Sequence, residues 1–245
     1  MEWAPRSRRD RISERLAALG PDVLCLTEAD AGILPSGGHR AESSPDYGDG
    51  ESSRRKALLW SRWPLDEVDR VGHPALPPGR YVSALCRTPL GPLRLIAVTI
   101  PWRDAHVRTG RKDKRPWDDH LLYLHGLRPL IAGLDRSAPA LVLGDFNQNV
   151  PRTRAPRHVA EALRHALCDL RVATAGVLPG IDRQVIDHVA HSTWLRASEA
   201  TGFSRLDAEG RPLSDHHGVS LRLQGPCGPA PDAGSPAGPA LCSPA

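Results

Sequence analysis

The sequence predicts an α/β fold in which two β-sheets pack face to face with helices on the outside. Short apolar runs, typical of buried strands, alternate with helical patterns early in the chain and follow one another closely later on. The predicted helices are too few to cover both faces of one sheet, so a second sheet is needed to bury the strands. The same pattern is also compatible with a single mixed sheet.

Three segments have the apolar spacing of helices. In residues 8–19, Ile12, Leu16 and Leu19 are four and three positions apart, and a Gly-Pro pair comes next as a stop signal. The other two predicted helices are residues 118–134 and 157–167.

Apolar runs bounded by Pro and Gly turns predict the strands. These strands are residues 23–26, 57–60, 81–87, 93–100, 140–143, 184–191, 193–200 and 218–223. Residues 30–56 are rich in Gly, Ser, Asp and Arg, which predicts a long surface excursion. We expect one folded domain over residues 1–224 and a disordered tail over 225–245, where Pro, Gly, Ala and Ser dominate.

Composition narrows the class of protein. The chain has 245 residues, of which 40% are hydrophobic and 24% charged, as is ordinary for one globular domain. We find neither an apolar run of membrane-spanning length nor a signal peptide, and expect a cytoplasmic monomer that does not bind membranes. The five cysteines contain no Cys-x-x-Cys pair, which argues against a zinc or redox motif. The net charge of +4 suits an anionic substrate but is weak support for nucleic acid.

Carboxylates recur at the ends of the predicted strands. Glu28 lies just after the run at 23–26, and Asp145 lies just after the run at 140–143. Asn147 comes two residues after Asp145 and therefore shares its side of an extended chain. Taken alone, Gly-Asp at position 145 also fits an ordinary strand-exit turn.

Two further carboxylates lie near the end of the chain. Asp187 stands inside an apolar strand, and Asp215 precedes the last strand with His216 beside it. A carboxylate in an apolar strand is costly unless it is paired or binds a cation. A neighbouring arginine could satisfy Asp187, and Asp215 could cap a turn. Carboxylate and amide oxygens together suit Mg²⁺ or Mn²⁺ better than zinc or copper.

In these motifs the chain resembles the endonuclease/exonuclease/phosphatase superfamily. The matching segments are Leu26-Thr27-Glu28, where the family usually has Gln before Glu, Gly144-Asp145-Phe146-Asn147, Ile186-Asp187-His188, Ser214-Asp215-His216 and the Ser-Arg-Trp-Pro segment at 61–64. The resemblance spans residues 1–224. It implies a catalytic domain with a four-layer α/β/β/α sandwich of two packed mixed sheets.

The resemblance also implies roles for four catalytic residues. Asp145 would orient or deprotonate the attacking water, and Asn147 would donate to a phosphate oxygen. Asp187 would pair with His216 and fix its tautomer. Whether Asp145 or His216 is the base stays open. Their neighbours His188 and His217 are expected to have packing or surface roles.

Glu28 and Asp215 are the metal ligands that the resemblance implies, for Mg²⁺ or Mn²⁺. Members of the family open with a strand that ends in Thr-Trp-Asn, whose Asn contributes to the metal and phosphate site. Here Met1-Glu2-Trp3 corresponds to the residues directly after that Asn. We expect a bacterial member whose true start lies upstream; the alternative is a chain without that strand and ligand.

The predicted substrate contacts lie beyond the strand at 93–100. The nuclease branch usually ends this strand with His or Tyr, whereas here the chain continues to Arg103, which could contact phosphate instead, as could His106. Arg111 and Lys112 belong to a basic loop between Trp102 and Trp117. Such a loop could bind a phosphate backbone and stack on bases, or be an ordinary solvated loop.

We therefore expect Mg²⁺-dependent hydrolysis of a phosphodiester in nucleic acid, with DNA as a candidate substrate. The alternatives are a phosphomonoesterase acting on a small or lipid-derived phosphate, and a non-catalytic relative that binds phosphate. The natural substrate, the endo or exo mode and the number of metal ions are not determined by the sequence.

Overall fold

A computed structural model describes residues 6–45, 53–107, 113–135 and 137–225. Within these ranges the helices are α1 (Arg6–Leu19), α2 (Asp118–Ala132) and α3 (Arg157–Leu167), with a short 3-10 helix at Ala31–Ile33. The strands are β1 (Val23–Asp30), β2 (His39–Glu42), β3 (Arg54–Ser61), β4 (Leu65–Asp69), β5 (Tyr81–Thr88), β6 (Gly91–Thr99), β7 (Ala140–Asp145), β8 (Arg171–Val172), β9 (Asp187–His191), β10 (Arg196–Phe203) and β11 (Gly218–Gln224).

The strands form a six-stranded sheet, a three-stranded sheet and a two-stranded ribbon. The six-stranded sheet has the order β4-β5-β6-β7-β9-β8, and only its β6-β7 pair is parallel among the described strands. The three-stranded sheet has the order β1-β3-β2, and β10 pairs with β11. In the opposing layer β3 lies over β5 and β6, β1 over β6 and β7, and β11 over β9. The predicted two-sheet packing is therefore confirmed.

Alternate side chains along a strand point into different hydrophobic cores. In β6, Leu95 and Ala97 enter the core between the sheets, whereas Ile96 and Val98 enter the core beneath α2 and α3. On the other side, α1 packs against the three-stranded sheet through a third core that includes Leu16. This arrangement makes the four layers α/β/β/α, and it explains why strands buried on both faces have continuous apolar sequences.

The three helices and most strands lie where the sequence predicts them. The prediction of a surface excursion over residues 30–56 is wrong in part, because this segment contains the 3-10 helix, β2 and the start of β3. Ala41 of β2 is 1% exposed and belongs to the core between the sheets. β4 and β8 were not predicted either. β4 is a polar edge strand, and β8 has only two residues, so neither has an apolar run.

Two further expectations concern the C-terminal tail and membrane-spanning helices. The predicted disordered tail, residues 225–245, lies outside the described residues apart from Gly225. The division into a domain and a tail stays a prediction. None of the helices within the described ranges combines the length and the apolar character needed to cross a bilayer.

Gly144 permits the close approach of β6 and β7. It pairs with Val98 in the parallel ladder and has a φ of 131°, a conformation that side chains rarely adopt. A Cβ atom at this position would lie 2.1 Å from the Val98 carbonyl oxygen. The strand that ends in Asp145 therefore requires glycine here.

Replacing Gly144 with Ala should lower the free energy of unfolding by about 2–4 kcal/mol, since the new methyl group meets backbone and the φ is unfavourable. Urea unfolding of Gly144→Ala measures this loss. Gly91→Ala is the matched control: Gly91 also has a positive φ, 98°, but open space where its Cβ would lie. The control should lose only about 1–2 kcal/mol. Equal losses in the two variants would contradict the proposed clash.

His120 of α2 connects two loops that come after β6 and β7. The ring is fully buried; its Nδ1–H donates to the Pro101 carbonyl at 2.7 Å, and its Nε2 accepts from the Gln148 amide at 2.7 Å. Both bonds are made by the neutral ring. Burial lowers the pKa of His120 from 6.5 to about 4, and the bond to Pro101 opposes this effect only in part.

Folding stability should therefore fall as the pH falls from about 6.5 to about 4, because in this window the unfolded chain binds a proton at position 120 that the folded chain does not. His120→Gln should reduce the difference in unfolding free energy between pH 7 and pH 4.5 by about 2–3 kcal/mol. Urea titrations at several pH values measure this difference. The control is His158→Gln, which changes an exposed histidine on α3. If the unfolding free energy of His120→Gln depends on pH as strongly as that of wild type, His120 is not the group responsible.

Candidate active site

Asp145 and Asp187 meet side by side at one end of the six-stranded sheet. They are direct partners in the antiparallel pairing of β7 with β9, and Thr99, at the end of the parallel strand β6, pairs with Asp145 from the other side. Asp145 is only 7% exposed. The strand pairing therefore brings two carboxylates together in a largely buried position.

Asn147 holds Asp145 in place. Its backbone N–H donates to Asp145 Oδ1 at 2.8 Å, and its side-chain amide donates to Asp145 Oδ2 at 3.0 Å and to the Ile100 carbonyl at 2.8 Å. Asn147 has a φ of 51°, which only a few residues other than glycine adopt. Both amide hydrogens are thus used within the protein, so a contact from Asn147 to phosphate would have to replace one of them.

His216 forms an ion pair with Asp187 through Nδ1. His216 Nε2 lies 3.6 Å from Asp215 Oδ1. Burial disfavours the charged imidazolium, but the adjoining Asp187 carboxylate, with the charges of Asp145 and Asp215, outweighs it and raises the pKa of His216 to about 9.

Burial and the charges around Asp145 together favour the protonated form of its carboxyl group. Burial raises the pKa of its carboxyl group, and the charge of Asp187 raises it further. The cationic His216 opposes this shift, and Glu28 adds a smaller effect in the same direction as Asp187. The site therefore carries more negative charge than its own histidine neutralises.

Glu28 reaches this site from the opposing sheet, where β1 lies over β7. The ladder between β1 and β3 pairs Thr27 with Ala57 and Ala29 with Arg55, but skips Glu28. Glu28 has a φ of 49°, so the backbone turns locally at this residue. Strained positions of this kind cluster at functional sites.

The oxygen-rich set of side chains fits a hard divalent cation. In the part of the chain that the structure describes, no three His, Cys, Asp or Glu side chains are arranged as a complete metal cage. Mg²⁺ usually takes only one or two protein carboxylates and keeps water and substrate phosphate as its other ligands. Glu28 and Asp215, whose side chain is 75% exposed, can supply two such carboxylates. The negative charge of Asp187 and Glu28, which raises the pKa of Asp145, would also attract a cation.

The predicted substrate-contact residues do not join the carboxylate cluster in the described part of the chain. Arg103 lies in the loop after β6; its side chain is 61% exposed, and its Nε lies 3.5 Å from Asp104 Oδ1. Arg111 and Lys112 lie outside the described residues. His106 contacts Asp119 at 2.6 Å rather than the catalytic carboxylates.

Two histidines beside the motifs have structural contacts. His188 is buried, and its ring nitrogens contact the Thr174 hydroxyl and the Gln148 carbonyl, each at 3.0 Å. His217 accepts from the Arg205 N–H at 3.3 Å. Sequence reasoning missed the contribution of Ile100, because it acts through its backbone carbonyl and leaves no signal in the side-chain pattern.

Solved structures of several proteins share this fold. An AP endonuclease from Archaeoglobus fulgidus matches with a TM-score of 0.65 and 16% identity, covering 89% of this chain and 95% of the other. The 3′ phosphatase NExo from Neisseria, bound to a product DNA hairpin, has a TM-score of 0.62 and 18% identity, with coverage of 89% and 95%. The β toxin of Staphylococcus aureus with bound magnesium ions has a TM-score of 0.60 and 11% identity, with coverage of 90% and 92%.

No curated protein matches this sequence. At the identities found, the solved structures show the fold alone. The sequence profile of the Endonuclease/Exonuclease/phosphatase family, in contrast, matches residues 3–216 and so includes the carboxylates and His216. Members of this family are in general phosphoester hydrolases that use divalent metals. The match extends over most of the chain, and this protein therefore belongs to the Endonuclease/Exonuclease/phosphatase family.

Proposed function

We propose that this protein hydrolyses phosphodiester bonds in nucleic acid with Mg²⁺ or Mn²⁺. The observation that carries the proposal is the buried Asp145 beside the Asp187–His216 ion pair. Burial makes a carboxylate a stronger base in its ionised form, which a bound cation would favour, and an adjacent cationic imidazole is suited to stabilise negative charge on phosphate. The basic net charge of the chain agrees with an anionic substrate.

Each residue of the site has a separate role in the proposed reaction. Asp145, held by Asn147, would orient the attacking water and accept its proton. The ion pair with Asp187 keeps His216 cationic, so that His216 would donate to the phosphate rather than act as the base. A divalent ion held by Glu28 and Asp215 would neutralise phosphate charge and polarise a phosphoryl oxygen.

Asp145→Asn should lower kcat on plasmid DNA and on bis-p-nitrophenyl phosphate at least about 100-fold, because the amide cannot accept a proton. The variant keeps the shape of the side chain, so the free energy of unfolding should fall by no more than about 1 kcal/mol. Asp10→Asn, which changes an exposed carboxylate on α1, is the matched control.

Wild-type rates in Asp145→Asn would exclude this mechanism. A wild-type chain that hydrolyses p-nitrophenyl phosphate but neither diester would instead indicate a phosphomonoesterase. A chain that hydrolyses none of the three would indicate a phosphate-binding relative without catalysis.

Glu28→Gln should raise the Mg²⁺ concentration needed for half-maximal activity by about 10-fold or more, since a neutral amide binds the cation more weakly than a carboxylate. Titrating Mg²⁺ after treatment with EDTA measures this change. The control is Glu161→Gln, a half-buried residue on α3 that pairs only with Arg157 in the described part of the chain. If Glu28→Gln and the control have the same Mg²⁺ dependence, Glu28 is not a ligand.

A further inference from the structure

Trp102 is an exposed aromatic residue in the loop that follows β6, the strand whose last residue pairs with Asp145. Among the described Trp, Tyr and Phe residues it alone is largely exposed, at 52%. It comes two residues after Ile100, whose N–H donates to the Asp145 carbonyl at 2.9 Å and whose carbonyl accepts from Asn147 at 2.8 Å. The backbone that presents Trp102 is thus bonded directly to the residues that hold the catalytic carboxylate.

The backbone is fixed on both sides of Trp102. The Pro101 carbonyl accepts from the buried His120 at 2.7 Å, and the Trp102 carbonyl accepts from the Ala105 N–H at 3.1 Å. The Arg103 carbonyl in turn accepts from the Trp117 N–H at 2.7 Å. An exposed ring on a fixed turn is preorganised for a ligand, because little backbone freedom is lost on binding.

Trp117, in contrast, has a structural role. It is half-buried, and its ring packs edge to face on His120 with centroids 5.1 Å apart. Of the two tryptophans that flank the basic loop, Trp102 is the one that presents its ring to solvent.

The surroundings of Trp102 indicate the kind of ligand. The next residue is Arg103, a largely exposed cation, and Asp104 comes after it. The apolar residues Ile100 and Pro101 before Trp102 are buried, so Trp102 is the exposed ring of this segment and lies beside charged groups. A lone aromatic ring beside a cation suits a nucleobase and its phosphate, since every base has a face on which the ring can stack. Insertion into a lipid surface would be favoured by a wider apolar patch.

We propose that Trp102 stacks on the nucleobase next to the scissile phosphodiester, and that the enzyme therefore prefers strands in which this base is unpaired or terminal. The proposal rests on the proposed function, in that it gives the phosphodiester a nucleic-acid context. Arg103 would contact the phosphate of the same nucleotide.

The test compares wild type, Trp102→Ala and Trp102→Phe on two oligonucleotides of equal length, one of thymidines and one of abasic units. Binding is measured by fluorescence anisotropy with a 5′ label, and hydrolysis is measured separately with Mg²⁺. Wild type should bind the thymidine strand more tightly than the abasic strand, by about 5- to 100-fold. Trp102→Ala should lose this preference without weaker binding of the abasic strand, and Trp102→Phe should recover part of it.

The control variant is Leu90→Ala, an exposed apolar residue in the turn at the opposite end of β6. It should keep the wild-type preference. Equal affinity of wild type for the two strands, or a preference that survives in Trp102→Ala, would overturn the proposal. Binding of phosphatidylcholine and sphingomyelin vesicles that depends on Trp102, with no dependence on the bases, would also overturn it in favour of a lipid surface.

The two proposals fail separately in this design. A chain that binds thymidine strands through Trp102 but hydrolyses no phosphoester supports stacking and contradicts the proposed hydrolysis. A chain that hydrolyses DNA with equal rates in wild type and Trp102→Ala, and binds both strands equally, supports hydrolysis and overturns stacking.

Discussion

The pairing of β7 with β6 on one side and β9 on the other is the constraint on which the site depends. All residues of β7 are buried, and the strand ends in Asp145. Gly144 lets β7 lie close to Val98, and the antiparallel partner β9 begins at Asp187. Because the two flanking strands are fixed by the cores on either face of the sheet, the position of the catalytic carboxylates is set by packing on both sides.

Burying a carboxylate in this way is costly unless other groups compensate. Asn147 satisfies the oxygens of Asp145, and His216 supplies a positive charge to Asp187. The compensation is incomplete, since Glu28 and Asp215 add further negative charge. On the proposed function, a bound cation and phosphate group would offset this cost, and the left-handed backbone at Glu28 and Asn147 fits the strain expected at such a site.

The chemistry and the substrate depend on different parts of the structure. The carboxylates and His216 lie on or directly beside the strands, within the residues that the family profile matches. The loop after β6, with Trp102 and Arg103, lies at the rim, where loops held by a rigid scaffold usually determine specificity. Family membership therefore supports phosphoester hydrolysis but does not select among DNA, lipid and small phosphates, and the proposed role of Trp102 assigns that selection to the loop after β6.

The sequence by itself determined the helices, the central strands and the identity of the candidate catalytic groups. Apolar periodicity located α3 and most of β5 to β7, because burial on known faces leaves a direct pattern in the residues. The motifs around Glu28, Asp145, Asp187 and Asp215 indicated the four carboxylates before any contact was known. The edge strands β2, β4 and β8 were missed, since their pairing depends on neighbouring strands more than on their own apolar content.

Only the tertiary structure decided how these groups meet. It placed Asp145 opposite Asp187 and brought in the Ile100 carbonyl, whereas the pair of Asp187 with His216 was already implied by the family resemblance. It also distinguished exposed Trp102 from Trp117, which the sequence had treated alike. The physical reason is that local sequence records which face of an element is buried, whereas contacts between distant strands and through backbone atoms depend on the register and packing of the whole sandwich.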